Sequence, residues 1–234
     1  MNKFSQVKAI IFDMDGTLFD TERISTDGWI AAGKGLGKPM PMSLIDSFRG
    51  NNDAGITEKM RTHFKTEEEI EKAWEIRNAY TTENTLTSVP IKKGLHEAFA
   101  ALKAKGIRLC VATGSDRPRA MRLTRLGGIE KDLEFCLCGD EKEIRRGKPA
   151  PDMFLVAAGR LNLPPEQCLV VEDSFNGVRS ACAAGCPVIM IPDLDEPTQE
   201  IRDLCDAVLE SLDQIPELFA NRQDVAAPPA ASSS

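Results

Sequence analysis

From Pro90 onward the chain alternates short apolar runs with helix-patterned segments, and that rhythm leaves few architectures open. Leu95, Phe99 and Leu102 mark one face of a helix that Gly106 ends. Residues 107–112 read as a strand, 119–126 as a helix and 134–138 as a strand. A helix over 152–161, a strand over 168–171, a helix over 177–184 stopped by Gly185, and a strand over 188–191 follow. The strands are apolar on successive residues, so both of their faces require cover. Parallel strands joined by helices make right-handed crossovers. The expectation is α/β, a Rossmann-like doubly wound parallel sheet.

The first strand stands apart from this series. Residues 7–13, V-K-A-I-I-F-D, form an apolar run that stops at the turn signal Asp15-Gly16-Thr17. From Asp20 the pattern is helical. Asp20 or Thr21 can cap, Glu22 suits the first turn, and Ile24, Trp29 and Ile30 precede a stop near Gly33-Lys34-Gly35. Ser43 can cap a short helix ending at Gly50. Thr66 with Glu69 makes a capping-box pair ahead of Ile70, Ala73, Trp74 and Arg77. An all-helical insert therefore interrupts the α/β series just after its first strand. Residues 1–19 and 89–222 are expected as the core and 20–88 as a helical cap. The low-complexity segment 223–234 is expected as a disordered tail.

A length of 234 residues accommodates a core of about 150 residues with a smaller insert. The net charge of −7 offers no footprint for nucleic acid or anionic lipid. No stretch of about 20 apolar residues is present to span a membrane. Residues 1–11 lack a signal-peptide layout, and the expected location is cytoplasmic. The cysteines number seven, with irregular spacing, which is no disulfide framework. Cys136 and Cys138 would share a strand face, and Cys182 and Cys186 would be helix neighbours. His63 and His96 have no Cys or His partner at a zinc spacing. Buried, reduced, structural thiols are expected.

In an open parallel sheet, ligands bind beyond the carboxyl ends of the strands. The first strand delivers Asp13 and Asp15 there, and the second delivers Thr113, Gly114 and Ser115. A later loop carries Gly147-Lys148-Pro149, and the strand after it ends in Glu172 and Asp173. Carboxylates can hold Mg²⁺, which prefers oxygen ligands. A lysine and a hydroxyl can stabilise the oxygens of a transferring phosphoryl group. One aspartate can attack phosphorus, while a second carboxyl protonates the leaving oxygen and later deprotonates water.

Asp13-Met14-Asp15-Gly16-Thr17 resembles the first signature of the haloacid dehalogenase-like phosphatase superfamily. Val111-Ala112-Thr113-Gly114-Ser115, Gly147-Lys148-Pro149-Ala150-Pro151-Asp152 and Val171-Glu172-Asp173-Ser174 with Gly177 resemble the other three, in order. The helical insert resembles the family's small cap. The subgroup resembled contains beta-phosphoglucomutase and sugar-phosphate, pseudouridine-phosphate and phosphoglycolate phosphatases. The resemblance implies Asp13 as nucleophile and Mg²⁺ ligand. It implies Asp15 as acid/base, with its main-chain carbonyl on the metal. Thr113 and the Gly114 amide, with Ser115 beside them, would bind phosphate, and Lys148 would bridge phosphate and nucleophile. Asp173 would ligate Mg²⁺, and Glu172 would do so directly or through water. Gly16 would aim backbone amides at the phosphate.

Each of these residues also has a plainer reading. Asp15-Gly16 can be only a turn, Thr113-Gly114-Ser115 only a helix cap, Lys148 a solvated lysine and Glu172-Asp173 a cap. Glu22 contacts substrate or merely favours a helix N-terminus. Arg49 aligns with an arginine that grips a distal phosphate in mutases, or is a surface charge. Asn176 reaches substrate or Glu22. Trp29 and Trp74 are expected in the cap core. The leading expectation is a Mg²⁺-dependent phosphomonoesterase acting through an aspartyl-phosphate on a small phosphorylated sugar, polyol or nucleoside-like metabolite. It would bind neither nucleic acid nor membrane and be a monomer or weak homodimer. One alternative is a hexose-phosphate mutase, although Ser25 stands where that branch has a cap histidine. The other is a phospho-accepting receiver or a binding module, whose usual length is about half this one.

Overall fold

The computed structural model describes residues 3–49, 51 and 53–222. The expected tail and Gly50 lie outside the described residues. The chain opens with β1 (Ala9–Phe12) and then runs through α1 (Glu22–Gly35), α2 (Met42–Asp46), α3 (Asp53–Met60) and α4 (Glu67–Asn84). Next come α5 (Leu95–Ala104), β2 (Arg108–Ala112), α6 (Arg117–Leu126), β3 (Cys136–Leu137) and α7 (Asp152–Leu161). The last elements are β4 (Cys168–Glu172), α8 (Phe175–Ala184), β5 (Val188–Met190), α9 (Gln199–Leu204) and β6 (Ala207–Val208).

The strands form one six-stranded sheet in the order β3-β2-β1-β4-β5-β6, with parallel pairing throughout. Strand alternation sorts the core into two layers. Ile10, Phe12, Leu109, Val111, Leu169 and Val171 pack under α5 and α6 on one face. Ala9, Ile11, Cys110, Ala112, Val170 and Val188 pack under α7, α8 and α9 on the other. Helices thus cover both faces, as an apolar parallel strand requires. A third apolar cluster lies within the helices after β1, built on Trp29, Phe48, Met60, Phe64 and Ile70. Trp29 and Trp74 meet edge to face at 4.8 Å there.

Several local expectations need correction. Thr21 precedes α1, but its hydroxyl does not cap the helix and turns to Asp15 instead. The N-cap of α2 is Pro41, not Ser43, and α2 stops at Asp46 because i−3 bonds from Phe48 and Arg49 tighten its end. Strand β3 is only two residues long, and Cys138 lies just past it. The element pair α9 and β6 was not anticipated, since six helical residues and two strand residues carry too little periodicity. The Thr66 cap is present, with Glu69 N donating to Thr66 Oγ1 at 3.2 Å, and the Glu69 carboxylate reaches back to accept from Lys65 N, one residue before the cap, at 2.9 Å. All seven cysteines are free thiols, with Cys182 and Cys205 partly exposed and the rest buried.

Candidate active site

Strand order turns around between β1 and β4, and crossover helices leave in opposite directions there, which opens a crevice at the carboxyl ends. Register decides what meets in it. Phe12 lies opposite Val111 and Val171, so the residues just after β1, β2 and β4 emerge along one edge. The Asp13 amide donates to Val171 O at 2.9 Å, and the Thr113 amide donates to Leu137 O at 3.0 Å. A cavity of about 1110 Å³ opens above this edge and reaches the helical insert. Asp13, Asp15, Thr113, Gly114, Ser115, Lys148 and Asp173 all line it, as do Glu22, Arg49 and Asn176.

Lys148 holds the centre together. Its Nζ donates to Asp13 Oδ1 and, at 2.6 Å, to Glu172 Oε1. Glu172 is fully buried, and its Oε2 accepts from Asp173 N (3.0 Å), Ser174 N (3.0 Å) and Ser174 Oγ (2.9 Å). A carboxylate so engaged has little acceptor capacity left. A Cβ on Gly177 would overlap the Glu172 carboxylate, and one on Gly16 would overlap Asp173. Gly16 also has φ +84°, so glycine serves both the turn and the close approach. Thr17 Oγ1 donates to Asp173 Oδ1 at 3.0 Å. The Thr113 side chain is buried and accepts from Ser115 N at 3.1 Å, whereas Gly114 faces open space.

Oxygens of Asp13, Glu172 and Asp173 lie within 4.8 Å of one another. The donor set is all oxygen, without sulfur or imidazole, which suits a hard divalent cation. Charge balance agrees. Burial pushes the Asp13 carboxyl up to about 8, with Lys148 opposing and Glu172 adding to the rise. Burial likewise raises Asp173 well above the usual carboxylate range, reinforced by Glu172 and Asp13. One lysine does not offset three clustered carboxylates, and a divalent ion would. Burial works against the Lys148 ammonium, but Asp13 and Glu172 outweigh it and hold the lysine charged.

Asp15 sits in the opposite setting. Burial would raise its carboxyl, yet Arg119 first, then hydrogen bonds from Thr21, Arg119 and Ser115, bring it down to about 2. Burial, then repulsion from Asp15, pushes Glu22 up to about 7, with Arg77 opposing. Arg49 lines the cavity, but its guanidinium is already paired with Asp46 and, at 2.7 Å, with Asp195. Of the two readings of Arg49, a distal-phosphate grip would have to draw on an arginine already paired with two carboxylates. Asn176 stands in the first turn of α8. Ser25 Oγ accepts from Arg77 Nη2 at 2.7 Å. Arg77, Arg119 and Asp193, to which the sequence assigns no site role, also line the cavity. Only the position of Arg119, one turn into the helix after the second strand, hinted at its place.

This arrangement defines an α/β enzyme with a carboxylate–lysine centre at a topological switch point. A haloacid dehalogenase-like hydrolase family model matches residues 7–185. The chain belongs to the haloacid dehalogenase-like hydrolases. It is 34% identical over 222 residues to the "Probable pseudouridine-5'-phosphatase" of Drosophila melanogaster, covering 92% of this chain and 94% of that one. It is 32% identical over 220 residues to Hexitol phosphatase A of Escherichia coli, covering 89% and 93%. Among solved structures it resembles a predicted phosphoglycolate phosphatase from Haemophilus somnus with TM-score 0.79 and 25% identity, covering 92% of this chain and 99% of that one.

Proposed function

We propose that this chain is a Mg²⁺-dependent phosphomonoester hydrolase that works through an aspartyl-phosphate on a small phosphorylated sugar, polyol or nucleoside-like metabolite. The observation that carries the reading is the bridge from Lys148 to Asp13 and Glu172, with Asp173 beside them. The named phosphatases among its relatives support the substrate class. Asp13 and Asp173, with the Asp15 main-chain carbonyl, would hold the metal, and Glu172 would add charge from behind. Such an ion offsets repulsion between an anionic nucleophile and an anionic phosphate.

The protein's own groups then divide the work. An Asp13 oxygen attacks phosphorus while the bond to the leaving alcohol oxygen breaks. Arg119 keeps Asp15 ionised at rest; the arriving phosphate, a like charge, raises its carboxyl so that it takes up a proton, which it gives to the leaving alcohol. Lys148, the Thr113 hydroxyl and the Gly114 amide receive the equatorial oxygens. In the second step Asp15 takes a proton from water, the water oxygen attacks phosphorus, and Asp13 leaves. The helices of residues 20–88 act as a cap that excludes bulk water from the charged centre.

Among the described residues no imidazole lines the cavity: His63 Nε2 donates to Lys38 O, and His96 faces Gly128. Ser25, engaged by Arg77, occupies the mutase histidine's place, which favours hydrolysis over isomerisation. Release of para-nitrophenol from its phosphate ester, abolished by EDTA and by Asp13→Asn, is the first test. A panel of alkyl phosphomonoesters then assigns the substrate class. Full activity in Asp13→Asn would overturn the reading.

A further inference from the structure

We propose that Arg119 is a positioning residue that holds the Asp15 carboxylate in register with the leaving oxygen; this rests on the phosphatase reading above. Arg119 is the third residue of α6. Its own amide donates to the Asp116 side chain, the N-cap, at 2.9 Å, so its backbone is pinned at the mouth of the cavity. Its side chain is only 18% exposed.

The guanidinium spans two neighbours at once. Nη2 donates to Asp15 Oδ1 at 2.5 Å, and Nε donates to Ser115 Oγ at 3.1 Å. A serine hydroxyl has a single proton. With Nε on the acceptor side of Ser115, that proton points to Asp15 Oδ2, 2.8 Å away. The result is a closed ring of guanidinium, hydroxyl and carboxylate that grips both Asp15 oxygens and thereby its plane. Thr21 Oγ1 adds a bond to Oδ1 at 2.6 Å from the residue that opens α1. The acid/base is thus held from the core helix and from the start of the helical insert together. Lysine keeps the charge but offers no rigid planar fork for the two acceptors.

Position is what a proton donor to an alkoxide requires, and a misplacement of about 1 Å costs on the order of 100-fold. A para-nitrophenolate leaves without being protonated, whereas an alkoxide does not. Because the second step is common to all esters, the experiment compares the single-turnover rate of phospho-enzyme formation from para-nitrophenyl phosphate with that from the alkyl phosphomonoester turned over fastest in the panel. For Arg119→Met, that first-step rate on the alkyl ester is expected to fall about 100-fold, with the first-step rate on the aryl ester changed by less than about threefold. Arg119→Lys should recover part of the alkyl loss.

Asp15→Asn sets the scale and should discriminate between the esters more strongly still. Equal losses on both esters in the Arg119 variants, or no loss on the alkyl ester, overturn the positioning role. If Asp15→Asn itself shows no discrimination, the acid/base reading has failed instead. Circular dichroism and melting curves accompany each variant, and Arg119→Gln replaces the methionine variant if that one does not fold.

Discussion

The acidic residues at this centre differ more in their surroundings than in their chemistry. Asp13 and Asp173 sit among like charges, whereas Asp15 faces a guanidinium and two hydroxyls. Lys148 pairs with Asp13 and with the neighbouring Glu172. Replacing it by methionine leaves buried carboxylates without a counter-charge, a loss of about 3–5 kcal/mol. Thermal melting in EDTA should show Lys148→Met below the parent, with the gap widening as pH rises past about 8, where the parent's Asp13 ionises beside its lysine and the variant's does not. Glu22 yields a second prediction. Its folded value of about 7 lies above the usual carboxylate value, so the folded state binds the extra proton between them. Stability therefore falls as pH rises through that window. Glu22→Gln removes the penalty, worth at most about 3 kcal/mol above pH 7. In EDTA its melting temperature should match the parent near pH 4.5 and exceed it near pH 8; a constant offset would contradict the assignment.

At the scale of elements, strands bring the charges forward and helix starts hold them in place. Ser174 caps α8 by accepting from Gly177 N at 3.1 Å and also donates to Glu172. The same turn leaves no room for a side chain at Gly177. Gly177→Ala should therefore displace Glu172 and its lysine, lowering both melting temperature and turnover, although alanine favours helices by about 1 kcal/mol elsewhere. Thr66→Ala is the contrasting case. It removes a cap far from the cavity, and a cost of about 1 kcal/mol is expected with turnover unchanged. Circular dichroism melts and steady-state rates on both variants check the pair. Periodicity made the longer elements readable, such as α7, whose ends match the expectation. It missed β6 and misjudged α2, where a few residues take their form from neighbours.

Across the whole molecule, the run of helices α1–α4 joins the rest of the chain at two connecting segments and through ion pairs. Asp20 N donates to Pro90 O, and Lys92 N donates to Leu18 O, each at 2.9 Å. Farther out, Arg49 reaches Asp195 in the loop after β5. With Asp195 45% exposed, water screens this pair, and such contacts are worth about 0–1 kcal/mol. Asp195→Ala should shift the melting temperature by no more than about 4 °C. It should also change KM, since Arg49 then presents a freer charge to the cavity. An unchanged KM across a phosphomonoester panel would show that Arg49 takes no part in substrate entry.

Local chemistry determined much of this protein before any folding was considered. Apolar runs ending in acidic residues, helix stops and a lysine between glycine and proline are written in short stretches, and each stretch carries its own physical cause. Asp13, Asp15, Lys148 and Asp173 could be picked out in that way. Tertiary structure decided the rest, because proximity between distant segments follows from strand order and register. That Arg119 would close on Asp15, that Asp195 would neutralise Arg49, and that Glu172 would spend its oxygens on Lys148 and its own turn are facts of three-dimensional placement. Residue type sets what each group can do; its neighbours set which of those things remains available.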